Sequence, residues 1–394
     1  MKIHHITRAV WILSLVSLFT DVASEMLYPV MPVYLQSIGY SFAFIGLLEG
    51  IAEAVAGFSK GFFGRWSDLL GRRLPFVQFG YALSAISRPL MVLWTQPLGI
   101  FTARTADRLG KGIRTAARDA LLAQEATPST RATVFGFHRS MDTLGAVIGP
   151  ILAFSYLYFF PGQYFWLFIL AFIPGIISVG LTFLIPEKKR TPSEGTKIPS
   201  PFTSITYITT ASPAYKKVTF GLLVFALFNS SDMFLLMRAK QLGISDGGVI
   251  MLYILFNVSY VAFAWPMGRV ADRIGKKKIA IYGFLLFALV YGLMSFYNTA
   301  RYLWLPFILY GGYYACTEGI SKAWISDIVT REELGTAIGS FTALQSIALL
   351  IASSVAGLIW QYYSAQVALL LSAMIALLTA LYFLKIKSIN PFAS

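Results

Sequence analysis

Arg104, Arg108, Lys111, Arg114 and Arg118 fall within one helix-length stretch, residues 103–123 (ARTADRLGKGIRTAARDALLA). At about 100° per residue, and with Arg104 as zero, Arg108 lies near 40°, Lys111 near −20°, Arg114 near −80° and Arg118 near −40°. All five share an arc of about 120°, with Asp107 inside it. Guanidinium and ammonium groups so aligned can do two things. They can hold an anionic ligand through charge-assisted hydrogen bonds, or they can neutralise carboxylates on neighbouring helices. Carboxylates are available. Asp21 and Glu25 stand at i and i+4, and Glu49, Glu53 and Lys60 fall within about 40° of one another on a second helix. Arg139 and Asp142 lie beside His138, and Arg88 precedes Pro89. In this half of the chain, basic residues 60, 88, 104, 108, 111, 114, 118 and 139 nearly balance acidic residues 21, 25, 49, 53, 107, 119 and 142. Near balance favours pairing for much of the stripe. The cavity-facing positions of the other half are far poorer, offering Asp232, Arg238, Glu318 and Lys322 among aromatics that serve either as core or as ligand contacts: Phe228, Tyr253, Phe256, Tyr260, Tyr310, Tyr313 and Tyr314.

Composition identifies the medium in which these charges sit. The 394 residues are 57% hydrophobic and 13% charged, whereas soluble domains carry about a quarter charged residues. The chain therefore reads as an all-α, polytopic membrane protein that meets a lipid bilayer. Its net charge of +14 is spread over short segments between apolar runs and forms no clustered basic face, so no nucleic-acid partner is expected. Three histidines and the single Cys316 give no Cys/His metal cluster and no disulfide framework, so neither a metal site nor a cofactor is expected. The amino-terminal segment has a basic start and an apolar core without a small-residue cleavage site, and reads as an uncleaved first span.

Runs long enough to cross hydrocarbon number twelve: 9–33, 42–65, 74–94, 98–123, 132–156, 164–185, 216–237, 247–268, 278–297, 302–326, 334–358 and 366–386. Excluding the charged stretch would leave the topology one span short, so it is the fourth. A charge facing lipid costs at least about 2.5 kcal/mol, and the stripe must face the bundle interior or a water-filled cavity. Lys and Arg concentrate in one set of loops, such as those at 72–73, 188–190 and 276–278, and are scarce in the alternate set. By the positive-inside rule both termini are expected to be cytoplasmic, in a plasma (inner) membrane. The chain divides into a first half, 1–185, a cytoplasmic linker, 186–215, and a second half, 216–394. The halves repeat: an offset of 204 aligns Gly39 with Gly243, Ser41 with Ser245, Gly64 with Gly268, Asp68 with Asp272 and Gly71 with Gly275. Such internal repeats mark secondary transporters, whose substrate site lies where the repeats meet.

Around these residues the chain resembles the major facilitator superfamily over essentially its whole length. GRVADRIGKK, residues 268–277, fits the family's loop signature, including Gly268, Asp272, Arg273, Gly275 and Lys276. GRWSDLLGRR, residues 64–73, fits through Gly64, Asp68, Gly71 and Arg72, with Leu69 where a basic residue is usual. GFHRSMDTLGAVIGPILA, residues 136–153, is similar to the fifth-span motif of the proton-coupled exporter branch through Gly145, Gly149 and Pro150, and the second half has no counterpart. The resemblance implies twelve helices in two pseudo-symmetric halves and alternating access. It implies gating by the two loop motifs and a cavity-lining role for Arg108 within an Arg-x-x-x-Gly pattern. Physically, glycines at both ends of a short loop allow a tight turn, and small residues in a span let a neighbouring helix approach.

The leading expectation is a proton-coupled exporter (antiporter) of a small solute of unknown identity. Burial disfavours an ionised carboxylate and a nearby cation favours it. A carboxylate in such a cavity can therefore bind a proton on one side and release it on the other. The residues expected along the substrate or proton pathway are Asp21, Glu25, Glu49, Glu53, Arg104, Arg108, Lys111, Arg114, Arg139, Asp142, Asp232, Glu318 and Lys322. A rival is a carrier of an anionic metabolite held by the cation stripe. Export of a divalent cation by the clustered carboxylates is disfavoured by the lack of cavity thiols and the scarcity of histidine. No HExxH, GxSxG or GxxxxGK[ST] pattern is expected to support an enzyme.

Overall fold

In hydrocarbon every backbone polar group must be satisfied within the protein, which leaves helices or closed barrels. The computed structural model describes residues 6–126, 131–186, 203–329 and 334–386, apart from the side chains at 65, 68, 69, 131–133, 136, 203–206, 265, 272, 334 and 335. The linker residues 187–202 and the side chains of Asp68 and Asp272 lie outside the described residues. Every regular element among the described residues is helical. In chain order they are α1 (Arg8–Leu27), α2 (Met31–Ser37), α3 (Phe42–Leu69), α4 (Leu74–Leu93), α5 (Pro97–Glu125), α6 (Arg131–Phe159), α7 (Tyr164–Thr182) and α8 (Thr203–Thr210), then α9 (Pro213–Ala226), α10 (Met233–Gln241), α11 (Asp246–Ile274), α12 (Lys276–Phe296), α13 (Trp304–Asp327), α14 (Leu334–Tyr362) and α15 (Ala365–Lys385).

Nine of these, among the described residues, are long and apolar enough to cross a membrane by composition alone. Three expected spans fall outside that set for identifiable reasons. The fourth, α5, carries the cations. The tenth, α13, interleaves Glu318 and Lys322 with glycines and tyrosines. The seventh, expected as one run over 216–237, is broken into α9 and α10 by Leu227–Asp232. Asn229, Ser230, Ser231 and Asp232 occupy that break, and side chains of these types compete with the backbone for hydrogen bonds and disfavour a helix interior. The first span is broken too, between α1 and α2, where Pro29 removes a backbone donor, although Tyr28 before it keeps helical φ and ψ of −56° and −52°.

The internal repeat is visible in backbone geometry. Gly39 and Gly243 have φ of 91° and 90°, and Gly71 and Gly275 have φ of 63° and 99°, a left-handed conformation that side chains resist. Ser41 and Ser245 each cap the helix that follows, accepting from Phe44 N at 3.2 Å and Gly248 N at 3.2 Å. The orphan carbonyls at the ends of the third helix of each half are also satisfied alike. Tyr34 donates to Met91 O at 2.9 Å. Arg238, at the repeat-related position, donates to Met294 O at 3.1 Å and Tyr297 O at 2.8 Å. The basic residues after the turn glycines brace the fourth helices: Arg73 donates to Ala120 O at 3.2 Å, and Lys276 pairs with Asp327 at 2.6 Å.

Contacts group residues 1–34 with 51–201, and 35–50 with 202–394. In the first unit α1 packs against α6 and α7, and α4 against α5 and α7. The α1–α6 seam depends on the two glycines of the fifth-span motif. A β-carbon on Gly145 would lie 2.6 Å from Leu18 O and 2.9 Å from Asp21 Cβ, and one on Gly149 would lie 2.6 Å from Val22 O and 3.0 Å from Glu25 Cβ. In the second unit α13 packs against α11 and α12, and α12 against α15.

Overpacking of this kind costs typically about 1–3 kcal/mol, because backbone atoms cannot withdraw. Gly149→Val should lower the melting temperature of the detergent-purified protein. Gly180→Val, at a position with open space around its β-carbon, should leave it nearly unchanged. Equal melting of the two variants would show that the seam tolerates a side chain.

Candidate functional site

The cation stripe lies on α5, and its arginines point into the first unit. Arg104, Arg108 and Arg114 are buried, at 3%, 7% and 5% exposure, so each needs a partner. Asp107 is the hub: its carboxylate lies 3.5 Å from Arg104 Nη1 and 3.7 Å from Arg108 Nε. Arg108 Nη1 also reaches Glu53 Oε1 on α3 at 3.4 Å. Arg114 donates to Ser84 Oγ on α4 at 2.5 Å and lies over the Tyr81 ring, 4.7 Å from its centroid. Ser84 in turn donates to Asp107 O at 2.9 Å. Arg118 pairs with Asp119 at 2.9 Å and donates to Ser17 Oγ on α1 at 2.8 Å. Lys111 differs. It is exposed, and among the described residues no carboxylate lies within ion-pair distance of its ammonium group.

Close helix approach makes this possible. Gly80 of α4 and Gly110 of α5 meet so tightly that a β-carbon on either would come within 2.7 Å of the other's carbonyl oxygen, which brings Ser84 and Tyr81 against Arg114. Arg88, also buried, points toward α1 and donates to Ser24 Oγ at 3.1 Å.

At the α1–α6 seam a second constellation forms around Asp21. Its β-carbon abuts Gly145, and Asp142 stands one turn earlier on α6. Asp142 Oδ1 lies 3.6 Å from His138 Nε2, too far for a hydrogen bond, and both atoms are buried without a hydrogen-bond partner among the described residues. His138 Nδ1 faces Ser14 Oγ at 3.4 Å. Among the described residues Asp21 has neither a hydrogen bond nor an ion pair. Three titratable groups thus meet at this seam, and among the described residues none of them has an arginine within ion-pair distance.

Of the other expected site residues, Glu25 is half-buried on α1, Arg139 is exposed on α6, and Glu49 is buried in the part of α3 that groups with the second unit. In the second unit Asp232 accepts from Tyr310 Oη at 2.6 Å and from Tyr314 Oη at 2.8 Å. Glu318 is exposed and accepts from Tyr260 Oη at 3.2 Å, and Lys322 is exposed. The aromatics resolve mainly as core: Tyr253, Phe256, Tyr310 and Tyr313 are all buried. Gly64 packs on Ala116, whereas Gly268 has open space.

Sequence reasoning placed Asp107 on the cation arc and in the charge balance but left it out of the expected pathway. It also left His138 out of the expected pathway, although the His138-x-x-x-Asp142 spacing was legible. The GxSxG spacing of a nucleophile, expected to be absent, is present at Gly57-x-Ser59-x-Gly61. Ser59, however, sits inside α3, donates to Val55 O at 2.5 Å and packs on Gly112.

The Major Facilitator Superfamily model matches residues 13–256 and 232–392. An uncharacterized MFS-type transporter of Methanocaldococcus jannaschii is 30% identical over 389 residues, which cover 96% of this chain and 95% of the relative. Among solved structures, the nucleoside transporter NupG superposes with a TM-score of 0.79 at 15% identity, covering 97% of this chain and 100% of that one. A human organic anion transporter superposes with a TM-score of 0.67 at 18% identity, covering 95% and 99%. Family match, full-length relative and shared helical fold agree: the chain belongs to the Major Facilitator Superfamily and is a multi-pass membrane transporter, not an enzyme.

Proposed function

We propose that this transporter is a proton-coupled exporter of a small solute, with Asp21, Asp142 and His138 handling the proton. The observation that supports it is their juxtaposition at the α1–α6 seam without strong partners. A carboxylate committed to an arginine stays ionised, while one without a committed partner can take a proton and release it as its access to water changes. The stripe divides the same way. Arg104, Arg108 and Arg118 are committed to carboxylates, Arg108 across to Glu53 on α3, while Asp21 and Asp142 have no arginine within ion-pair distance among the described residues. In this reading both termini are cytoplasmic and the protein resides in the plasma membrane, as the placement of loop cations suggests. The loop motifs containing Asp68 and Asp272 serve as gates.

One observation favours a second reading. Lys111, exposed and uncommitted on the same face, offers a point charge to an anionic solute. Proteins of this fold include a nucleoside transporter and an organic anion transporter, so the fold accommodates solutes of differing charge.

Proteoliposomes with an imposed pH gradient, tested against cationic, neutral and anionic solutes, distinguish the readings. Asp21→Asn or Asp142→Asn should abolish gradient-driven uphill transport and leave solute exchange partly intact. If both variants keep gradient-driven transport at the parent level, the proton assignment is wrong. Lys111→Ala should leave coupling in place under the first reading and selectively remove anion uptake under the second.

Arg108 supplies a separate check on the structural role of the stripe. Removing one partner of a buried pair typically costs about 3–5 kcal/mol, reduced here because Glu53 is 40% exposed at its side chain. Arg108→Ala should destabilise the protein, and Arg108→Ala combined with Glu53→Gln should recover part of the loss, as coupled neighbours do. A fully stable Arg108→Ala protein that has lost transport would assign Arg108 to the solute instead.

A further inference from the structure

The proton groups of the first unit leave the α9–α10 break unexplained, and its chemistry is that of a cation site. Residues Leu227–Asp232 interrupt the helix, and α9 ends at the break with the negative end of its dipole. Among the described residues the carbonyl oxygens of Leu227, Phe228, Asn229 and Ser230 accept no hydrogen bond. Asn229 donates from Nδ2 to Tyr313 Oη at 3.1 Å, and its Oδ1 is buried with no donor among the described residues. Tyr291, at 0% exposure, packs beside Tyr310 with ring centroids 6.2 Å apart, and its hydroxyl makes no well-formed hydrogen bond among the described residues. Asp232 supplies a carboxylate whose oxygens are fixed by Tyr310 and Tyr314. Buried polar atoms normally find partners. Here several such oxygens lie on or beside one interruption.

We propose that this break binds a sodium ion. The donors are all oxygens, the preference of hard cations, and half-helix ends with unwound carbonyls are a general way to hold a coupling ion within a membrane. One carboxylate matches one positive charge, whereas a divalent ion would call for more acidic ligands. The surroundings are filled by buried rings of Tyr291, Tyr310 and Tyr313, which suits a bare ion better than an organic ammonium group. Cysteine and histidine clustering could not signal such a site, because backbone and amide oxygens build it. The related break in the first half, at Tyr28–Val30, is shorter and has no amide or carboxylate within it.

Thermal melting of the purified full-length protein, without solute and at one pH, tests this with sodium, potassium and choline chlorides at equal ionic strength. Sodium should raise the melting temperature saturably, with half-saturation roughly tenfold below that of potassium, and choline should have no specific effect. Asp232→Asn should abolish the rise. Asn229→Leu, which keeps the carboxylate and approximate volume, should weaken sodium roughly tenfold, and it decides the matter should Asp232→Asn fail to fold. Identical melting in all three salts, equal stabilisation by sodium and potassium, or a sodium response unchanged in Asn229→Leu would each overturn the proposal. Because neither a pH gradient nor transport is involved, the outcome is independent of the proton assignment.

Discussion

A buried charge needs a partner, and Asp107 meets that need for two arginines at once. Arg104 and Arg108 flank it on α5 at 3.5 and 3.7 Å, and Glu53 closes the arrangement from α3. Without these carboxylates α5 would bring its cations uncompensated into a low-dielectric interior, at several kcal/mol per charge. With them, a helix too polar to be recognised as a span by composition becomes the element around which α1, α3 and α4 arrange their hydroxyls and acids. Ser17, Ser84 and Tyr81 are all positioned by what α5 presents to them.

That commitment bears on the proposed function. Carboxylates spent on the arginines are held in their ionised form, and the groups proposed to handle the proton are instead those at the seam where Gly145 and Gly149 let α6 approach α1. Those glycines bring Asp21 and Asp142 together, and the helix turn places His138 beside them. A packing feature and a chemical feature thus share the same residues. This explains why a motif recognised for its glycines coincides with the titratable cluster.

Much of this was legible in the sequence. The period of the cations on α5 gave their common face, and the offset of 204 gave glycine pairs whose φ angles agree closely at Gly39 and Gly243. Charge balance also indicated that the stripe is paired. What could not be read is which carboxylate serves which cation. Glu53 and Glu49 are one turn apart and equivalent by period, yet only tertiary packing places Glu53 against Arg108. The break at Leu227–Asp232 was missed because its flanks are apolar enough to read as one span. The polar run Asn229 to Asp232 was the available signal, and hydropathy averaged over it.

Infrared difference spectroscopy of the reconstituted protein on acidification tests the division of labour most directly, because a protonated carboxyl has its own C=O stretching band. The account predicts a band that is diminished in Asp21→Asn and Asp142→Asn and preserved in Glu53→Gln. A band that survives both aspartate substitutions and disappears with Glu53→Gln would contradict it.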